Sequence, residues 1–489
     1  AVMEARASRL PLLLITADRP GELHGIAAPQ TTDQAHLFGR HAVGYFDLGA
    51  PEAHPAALAG LRRVTAQAVF RTTWPEPGPV QVDFRARKPL EPAEDSSPAG
   101  QALDAAVEAL LARPAPSAVA PAVGPAPAAV ARLDAALAAS ARPLFVCGPT
   151  TELDPARGAA ILALAARVGA PVLAEAGSQL RFGAGAEQVV DGYDTVLRAP
   201  GAVTALAPDL ILGFDTPPTS GPLLAALGAW SAPRWVVAEG GWPDLDNRAE
   251  AVLLGPVAAL AAAAGQAARG EGEAYRAAWR AASSRAWAWQ ADLPRGEGAA
   301  AREALLGSPD GAVLVLGNSL PIRHVETFAP ARARGFTVLT QRGVNGIDGL
   351  VATAVGAGRA SGRPVTLLAG DVTLLHDASS LELGLELDTP LVVVVLDNGG
   401  GRIFEGLPVA KAPGAPMALF TTPPRVGLAA LAAAYGARHV QVDATGPVAE
   451  SVAEAHRHPG VTVLQVSCLP QGAQDTLQML AARARQEWA

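Results

Sequence analysis

The sequence predicts an α/β protein of three doubly wound, parallel-sheet domains, the first of them incomplete. Three observations carry this. Short apolar runs alternate with alanine-rich helical stretches along nearly all of the 489 residues, the pattern of repeated βαβ units. Half of the residues are hydrophobic and only 17% are charged, enough apolar material for two or three cores. Two Pro-rich segments, KPLEPAEDSSPAG at 88–100 and ARPAPSAVAPAVGPAPAAV at 112–130, interrupt the alternation as linkers do.

The first domain, 1–95, begins with a helix that runs into a strand at 12–16, followed by a helix near 55–70 and the strand PVQVDF at 79–84. A linker containing one helix spans 96–130. The central domain, 131–300, is read from the strands in RPLFVCG (142–148), PVLAEAG, DLILGFD and RWVVAEG. Within it AVLLGPVAALAAAAG at 251–265 reads as one buried or amphipathic helix, too short and too proline-broken for a membrane span. A longer helix occupies 273–292. The last domain, 301–489, has strands in AVLVLGNS from 312, FTVL from 336, PVTLLAGD from 364, PLVVVVLDN from 390, RHVQV from 438 and VTVLQVS from 461.

A net charge of −8, with Lys88 and Lys411 the only lysines, argues against coating nucleic acid or an anionic membrane. Cys147 and Cys468 fall on predicted interior strands far apart in sequence, which disfavours a disulfide scaffold or a cysteine zinc site and fits a reducing cytoplasm. The first residues show no initiator Met and no cleavage pattern, and read as the middle of a domain.

The two clearest strands, PVTLLAGD and PLVVVVLDN, are separated by one predicted helix around 377–387, so they lie parallel with both carboxyl ends at one edge. That edge is where α/β sheets bind ligands. Asp371 and Asn398 end these strands and offer a carboxylate and an amide oxygen to one point, hard ligands suited to Mg²⁺ held together with a diphosphate. Gly400, in the Gly-Gly-Gly that follows, is placed to add a backbone oxygen where a side chain would block approach. Either residue alone reads equally as a helix cap or a turn residue. The pair at this spacing, with glycines after the second, favours the metal.

Gly370-Asp371 followed by Asn398 at the next strand end resembles the diphosphate-binding motif of thiamine-diphosphate enzymes, with Val372 in place of that motif's second glycine. Four stretches narrow the resemblance: TADRPGELHGIAAPQTTDQ (16–34), GNSLPIR (317–323), QRGVNGIDG (341–349), and GDVTLLHD with DNGGGRIFEGLP. Together, and in this order, they resemble the 2-succinyl-5-enolpyruvyl-6-hydroxy-3-cyclohexene-1-carboxylate synthase family. The middle domain resembles it least, since PPTSG at 217–221 lacks the expected basic residue after the serine.

The resemblance implies a partial pyrimidine-binding domain, a central domain and a diphosphate-binding domain. It implies thiamine diphosphate with Mg²⁺ or Mn²⁺ as cofactors, and a homodimer or homotetramer. The implied reaction decarboxylates 2-oxoglutarate and adds the succinyl unit to isochorismate in menaquinone biosynthesis. Both substrates carry two carboxylates, which arginine holds in bidentate fashion. By resemblance Ser319, Arg323 and Arg342 contact the succinyl carboxylate, while Arg19 and Gln30 lie on the isochorismate side. Gly370, Asp371 and Asn398 bind the diphosphate. Ile347 supports the bent cofactor, and Ile403, Phe404 and Leu407 wall its thiazolium.

Each has a plainer alternative: Arg19 pairing with Asp18, Ser319 as a helix N-cap, Arg342 as a solvated charge, and the apolar residues as ordinary core. His376 reads as a packing or supporting histidine rather than a base. The family's activating glutamate lies upstream of the point where this chain begins, and Glu4 is on the wrong side of the motif to replace it. A shortened chain with little turnover is therefore expected. The rival readings are another thiamine-dependent carboligase or decarboxylase, such as an acetolactate-synthase-like enzyme, and a non-catalytic nucleotide-binding protein. The second is disfavoured because GGGRIF lacks GxGxxG spacing.

Overall fold

The computed structural model describes residues 1–88, 90–91, 94–266 and 272–489. Residues 89, 92 and 93 of the predicted linker at 88–100 lie outside the described residues. The chain forms two compact units, one of residues 1–122 with 342–344, the other of residues 123–341 with 345–489.

The first unit holds a three-stranded parallel sheet of β1 (Leu12–Asp18), β2 (Gly44–Asp47) and β3 (Pro79–Arg85), in the order β1-β3-β2. The helix Pro55–Arg71 starts where Pro55 follows His54, whose Nδ1 accepts the Ala56 N–H at 3.2 Å. Its Ala68 packs with Val80 and Val82 of β3 in a small core.

The second unit holds two six-stranded parallel sheets. In one, β4 (Pro143–Cys147), β5 (Val172–Ala174), β6 (Val189–Val190), β7 (Leu210–Phe214), β8 (Arg234–Ala238) and β9 (Ala249–Leu254) run in the order β6-β5-β4-β7-β8-β9. The other comprises β10 (Val313–Leu316), β11 (Thr337–Thr340), β12 (Val365–Gly370), β13 (Pro390–Asp397), β14 (Arg438–Asp443) and β15 (Gly460–Ser467), ordered β11-β10-β12-β13-β15-β14. Its central strands β12 and β13 are nearly continuous apolar runs, with Thr366 the exception inside β12, because both faces are covered. Val392, Val394 and Leu396 enter one core with Leu314 and Leu316, whereas Leu391, Val393 and Val395 enter the opposite one with Leu367 and Ala369. Chain order reverses between β10 and β12, which makes the cleft beyond their carboxyl ends the switch point of the sheet.

Several expectations need correction. The segment 251–265 is not one helix: Ala249–Leu254 is an edge strand with Ala251 and Leu253 buried, and a helix follows only at Val257–Ala263. Gly255 at φ +151 and Pro256 break it. The single helix at 377–387 is instead a helix at Asp371–His376 and a short one at Leu381–Gly384, joined by the 3₁₀ turn Ala378–Ser380. Asp377 causes the interruption, since its carboxylate accepts the Ala352 N–H and the Ser380 hydroxyl. Cys468 lies one residue past β15 and is only partly buried, while Cys147 is buried in β4 as expected. The strand β2 was not foreseen. No described helix is long and apolar enough to cross a membrane.

Candidate active site

β12 and β13 are adjacent and parallel, with Gly370 opposite Leu396, so their ends deliver Asp371 and Asn398 to one edge. Both side chains are buried. Asp371 Oδ1 accepts the Val372 N–H at 2.7 Å, and Oδ2 accepts the Gly400 N–H at 2.7 Å, which ties the two strand-end loops together. Burial pushes the Asp371 carboxyl up to about 6 against the pull of those two donors. A bound cation would reverse that push.

The residues fit a cation and a diphosphate. Asn398 Oδ1 is a buried acceptor with no protein partner among the described residues. Gly400 sits at φ +121, and a Cβ on it would come within 2.2 Å of the Thr421 carbonyl oxygen, so the close approach requires glycine. Its own carbonyl accepts the Arg402 N–H at 2.8 Å and keeps a second lone pair. No cluster of three or more His, Cys, Asp or Glu stands ready for a metal among the described residues. A site with one carboxylate matches a cation that takes its remaining ligands from phosphate and water.

The sequence reading missed what holds this loop. Arg402 donates from Nε to the Asn398 carbonyl (3.1 Å), from Nη2 to the Gly399 carbonyl (3.0 Å) and from Nη1 to Glu405 (2.7 Å). Asn398 Nδ2 donates to both carboxylate oxygens of Glu297, at 3.0 and 3.1 Å. The 3₁₀ helix Arg402–Gly406 carries Ile403 and Phe404, both half-buried, with the Phe404 ring 5.8 Å from that of Phe420; Leu407 follows and is exposed. His376 is exposed in this chain, which leaves out the packing role and not the supporting one of the two expected for it.

At the end of β10, Ser319 adopts φ +73 and ψ −133, outside the conformations a serine prefers, and its side chain makes no cap bond to the helix Leu320–Phe328. It is therefore not the simple N-cap. Arg323 folds back so that Nη1 donates to the Ser319 carbonyl at 2.7 Å. Burial lowers the Arg323 guanidinium, with Glu175 and Asp194 partly restoring it. Asn318, also unforeseen, donates to the carbonyls of Gln341 (2.9 Å) and Gly346 (2.7 Å). It thereby joins two predicted stretches, GNSLPIR and the glycine-rich loop in which Ile347 is half-buried.

In the first unit, Arg19 Nη2 donates to Gln30 Oε1 at 3.1 Å, so this predicted pair is brought together. Asp18 Oδ1 takes the Arg19 main-chain N–H instead. Arg342, half-buried, belongs to the segment 342–344 that packs with this unit. Glu4 accepts the N–H groups of Gly343 and Val344, each at 2.8 Å, and so holds that segment.

A buried polar cluster lies behind Arg323. Arg181 Nη1 pairs with Glu326 Oε2 at 2.8 Å, and the Tyr193 hydroxyl donates to the same oxygen at 3.0 Å. Nearby Glu175 is fully buried; its Oε1 accepts the N–H groups of Thr219 and Ser220, and its Oε2 has no protein partner among the described residues. Burial, with the Glu326 charge adding to it, pushes Glu175 up to about 8. A carboxyl raised in the folded state binds more protons there than when unfolded, so its contribution to stability falls as pH rises from the ordinary carboxylate range through about 8. Glu175→Gln is expected to remove this slope. Melting temperatures from pH 5 to 9 check it, because the variant should gain steadily on the unaltered chain as pH rises.

The second unit's first sheet has the strand order of dinucleotide-binding folds, yet the turn after β4 is Gly148-Pro149-Thr150. A Cβ at Gly148 would lie 1.9 Å from the Thr216 carbonyl oxygen, so protein already fills the space beside that glycine.

Comparison with known proteins agrees with the other sheet as the cofactor site. Residues 326–466 match the family described as "Thiamine pyrophosphate enzyme, C-terminal TPP binding domain". A 2-succinyl-5-enolpyruvyl-6-hydroxy-3-cyclohexene-1-carboxylate synthase of Sorangium cellulosum is 40% identical, over 100% of this chain and 82% of its own length. A protein of the same name from Myxococcus xanthus is 40% identical over 90% of this chain and 76% of its own. One from Halobacterium salinarum is 37% identical over 99% and 84%.

Proposed function

The chain belongs to the 2-succinyl-5-enolpyruvyl-6-hydroxy-3-cyclohexene-1-carboxylate synthase family, and we propose that it joins a succinyl unit from 2-oxoglutarate to isochorismate at the β10–β12–β13 strand ends. It is a thiamine-diphosphate-dependent transferase of menaquinone biosynthesis. The observation that carries the placement is the Asp371 carboxylate reaching the Gly400 N–H from the neighbouring strand. Asp371, Asn398 Oδ1 and the Gly400 carbonyl would hold Mg²⁺ or Mn²⁺, and Gly370 leaves the diphosphate room beside the main chain.

Thiamine diphosphate, when bound, supplies the electron sink for loss of carbon dioxide from a 2-oxo acid. The protein's part is position, charge and exclusion of water. Ile347, Ile403, Phe404 and Leu407 would keep the reacting centre in apolar surroundings, which favours a neutral species over a charged carboxylate. Ser319, Arg323 and Arg342 would bind the distal carboxylate of 2-oxoglutarate, with Arg19 and Gln30 on the isochorismate side. The proposal includes the division into 1–95, 96–130, 131–300 and 301–489, and a cytoplasmic homodimer or homotetramer.

Isochorismate consumption with 2-oxoglutarate, against pyruvate at the same concentration, tests the reaction; equal rates would overturn it in favour of an acetolactate-synthase-like activity. A charged hydrogen bond contributes about 1.5–3 kcal/mol. Arg323→Ala is therefore expected to raise KM for 2-oxoglutarate by about 10- to 100-fold while the affinity for thiamine diphosphate stays unchanged. Steady-state kinetics at saturating cofactor, with a separate cofactor titration, check both halves.

A further inference from the structure

We propose that Glu297 and His324 form a buried clamp that fixes the amide orientation of Asn398 and thereby sets the affinity of the site for its divalent cation. The inference rests on the reading of Asn398 as a cation ligand.

Glu297 opens the helix Glu297–Gly307 and His324 lies in the helix Leu320–Phe328, so both come from outside the two loops that form the site. Both are buried, at 4% and 1% exposure. His324 Nε2 stands 3.0 Å from Glu297 Oε1, and both Glu297 oxygens receive Asn398 Nδ2. A carboxylate only accepts, so only the NH₂ end of the amide can face it. Oδ1 is thereby turned the other way, and it is this atom that lacks a protein partner among the described residues. Without the clamp an asparagine amide has two orientations of nearly the same shape, and only one of them presents oxygen to a cation. Arg402 holds the main-chain carbonyl of the same residue, so Asn398 is fixed from both ends.

Packing alone does not explain the cluster. Burying a carboxylate carries a desolvation penalty that an apolar residue of similar volume avoids. Partners of this kind behind a ligand set its orientation, and losing one weakens metal affinity by about 10- to 100-fold.

The test titrates the chain with Mn²⁺ in the presence of thiamine diphosphate, reading free Mn²⁺ by electron paramagnetic resonance. Glu297→Ala should weaken Mn²⁺ binding about 10-fold or more. Glu297→Gln keeps the shape and one accepting oxygen, so it should bind between that variant and the unaltered chain; it decides the question if Glu297→Ala does not fold. Because Glu297 acts only through Asn398, the double variant Glu297→Ala/Asn398→Ala should bind no more weakly than Asn398→Ala alone. Two results would overturn the clamp while leaving the cation site standing: Glu297 variants that bind Mn²⁺ as the unaltered chain does while Asn398→Ala binds weakly, or losses that add in the double variant. Unchanged binding by Asn398→Ala and Asp371→Asn would remove the cation site itself, and the clamp with it.

Discussion

Asp371→Asn is expected to lower kcat/KM by at least about 100-fold, because loss of a partner behind a metal ligand already costs about 10- to 100-fold in affinity or activity and Asp371 is read as a ligand itself. The stability of the cofactor-free chain should change little. Burial disfavours the Asp371 charge in the folded chain, and asparagine removes that charge, but its one oxygen can accept from only one of the Gly400 and Val372 N–H groups, so gain and loss oppose each other. The unaltered chain should therefore melt higher when thiamine diphosphate and Mg²⁺ are added, by the mass action of a ligand that binds only the folded state. Asp371→Asn should melt close to the unaltered chain without them and show no shift with them. Thermal melts with and without cofactor check this. A variant that still gains stability from the cofactor pair would show that the carboxylate is structural and that the cation lies elsewhere.

That contrast between local stability and cofactor binding also marks where sequence could be read and where it could not. β12 and β13 are legible because a strand covered on both faces reads as a nearly unbroken apolar run, interrupted in β12 only by Thr366, and because the residues that end such strands stand out against them. Asp371, Asn398 and Gly400 are singled out as candidates in this way. β2 and β9 are not legible: GYFD is four residues long, and AEAVLL runs through Gly-Pro into an alanine-rich helix whose apolar content swamps the alternation. The helix after β12 begins six residues earlier than the sequence predicts, because Asp371, besides standing at the strand end, is also the first residue of that helix.

The supporting residues were hidden for a different reason. Glu297 lies 101 positions from Asn398, and Arg181 lies 145 from Glu326. In a single sequence a charged residue on a helix reads as a solvated one, which is right for most positions. Only the fold shows that these carboxylates are buried and what they face. Arg19 and Gln30, eleven residues apart in one loop, stand out in the sequence only through the family resemblance, and the hydrogen bond between them is seen only in the fold.

The same buried charges support the second large expectation, that Arg181→Met destabilises the second unit by about 3–5 kcal/mol. Arg181 is fully buried. Besides its ion pair with Glu326, it donates from Nη2 to the carbonyls of Glu326 (2.9 Å), Ala329 (2.7 Å) and Asp191 (3.1 Å). Removing the guanidinium takes away the ion-pair partner of the Glu326 carboxylate in a buried site that it shares with Glu175. The double variant Arg181→Met/Glu326→Met removes both charges, and should recover much of the loss because apolar residues of similar volume avoid the desolvation penalty. Urea denaturation of the three chains checks the order; a single variant that loses less than about 1 kcal/mol would place the pair among weak, solvated ones. There is also a functional consequence. Glu326 sits one turn after Arg323 on the helix Leu320–Phe328, so the ion pair seats that helix against the segment between β5 and β6. Loosening it should raise KM for 2-oxoglutarate through Arg323 and Ser319. Asp371 belongs to a different helix, Asp371–His376, so its hold on thiamine diphosphate should be disturbed far less.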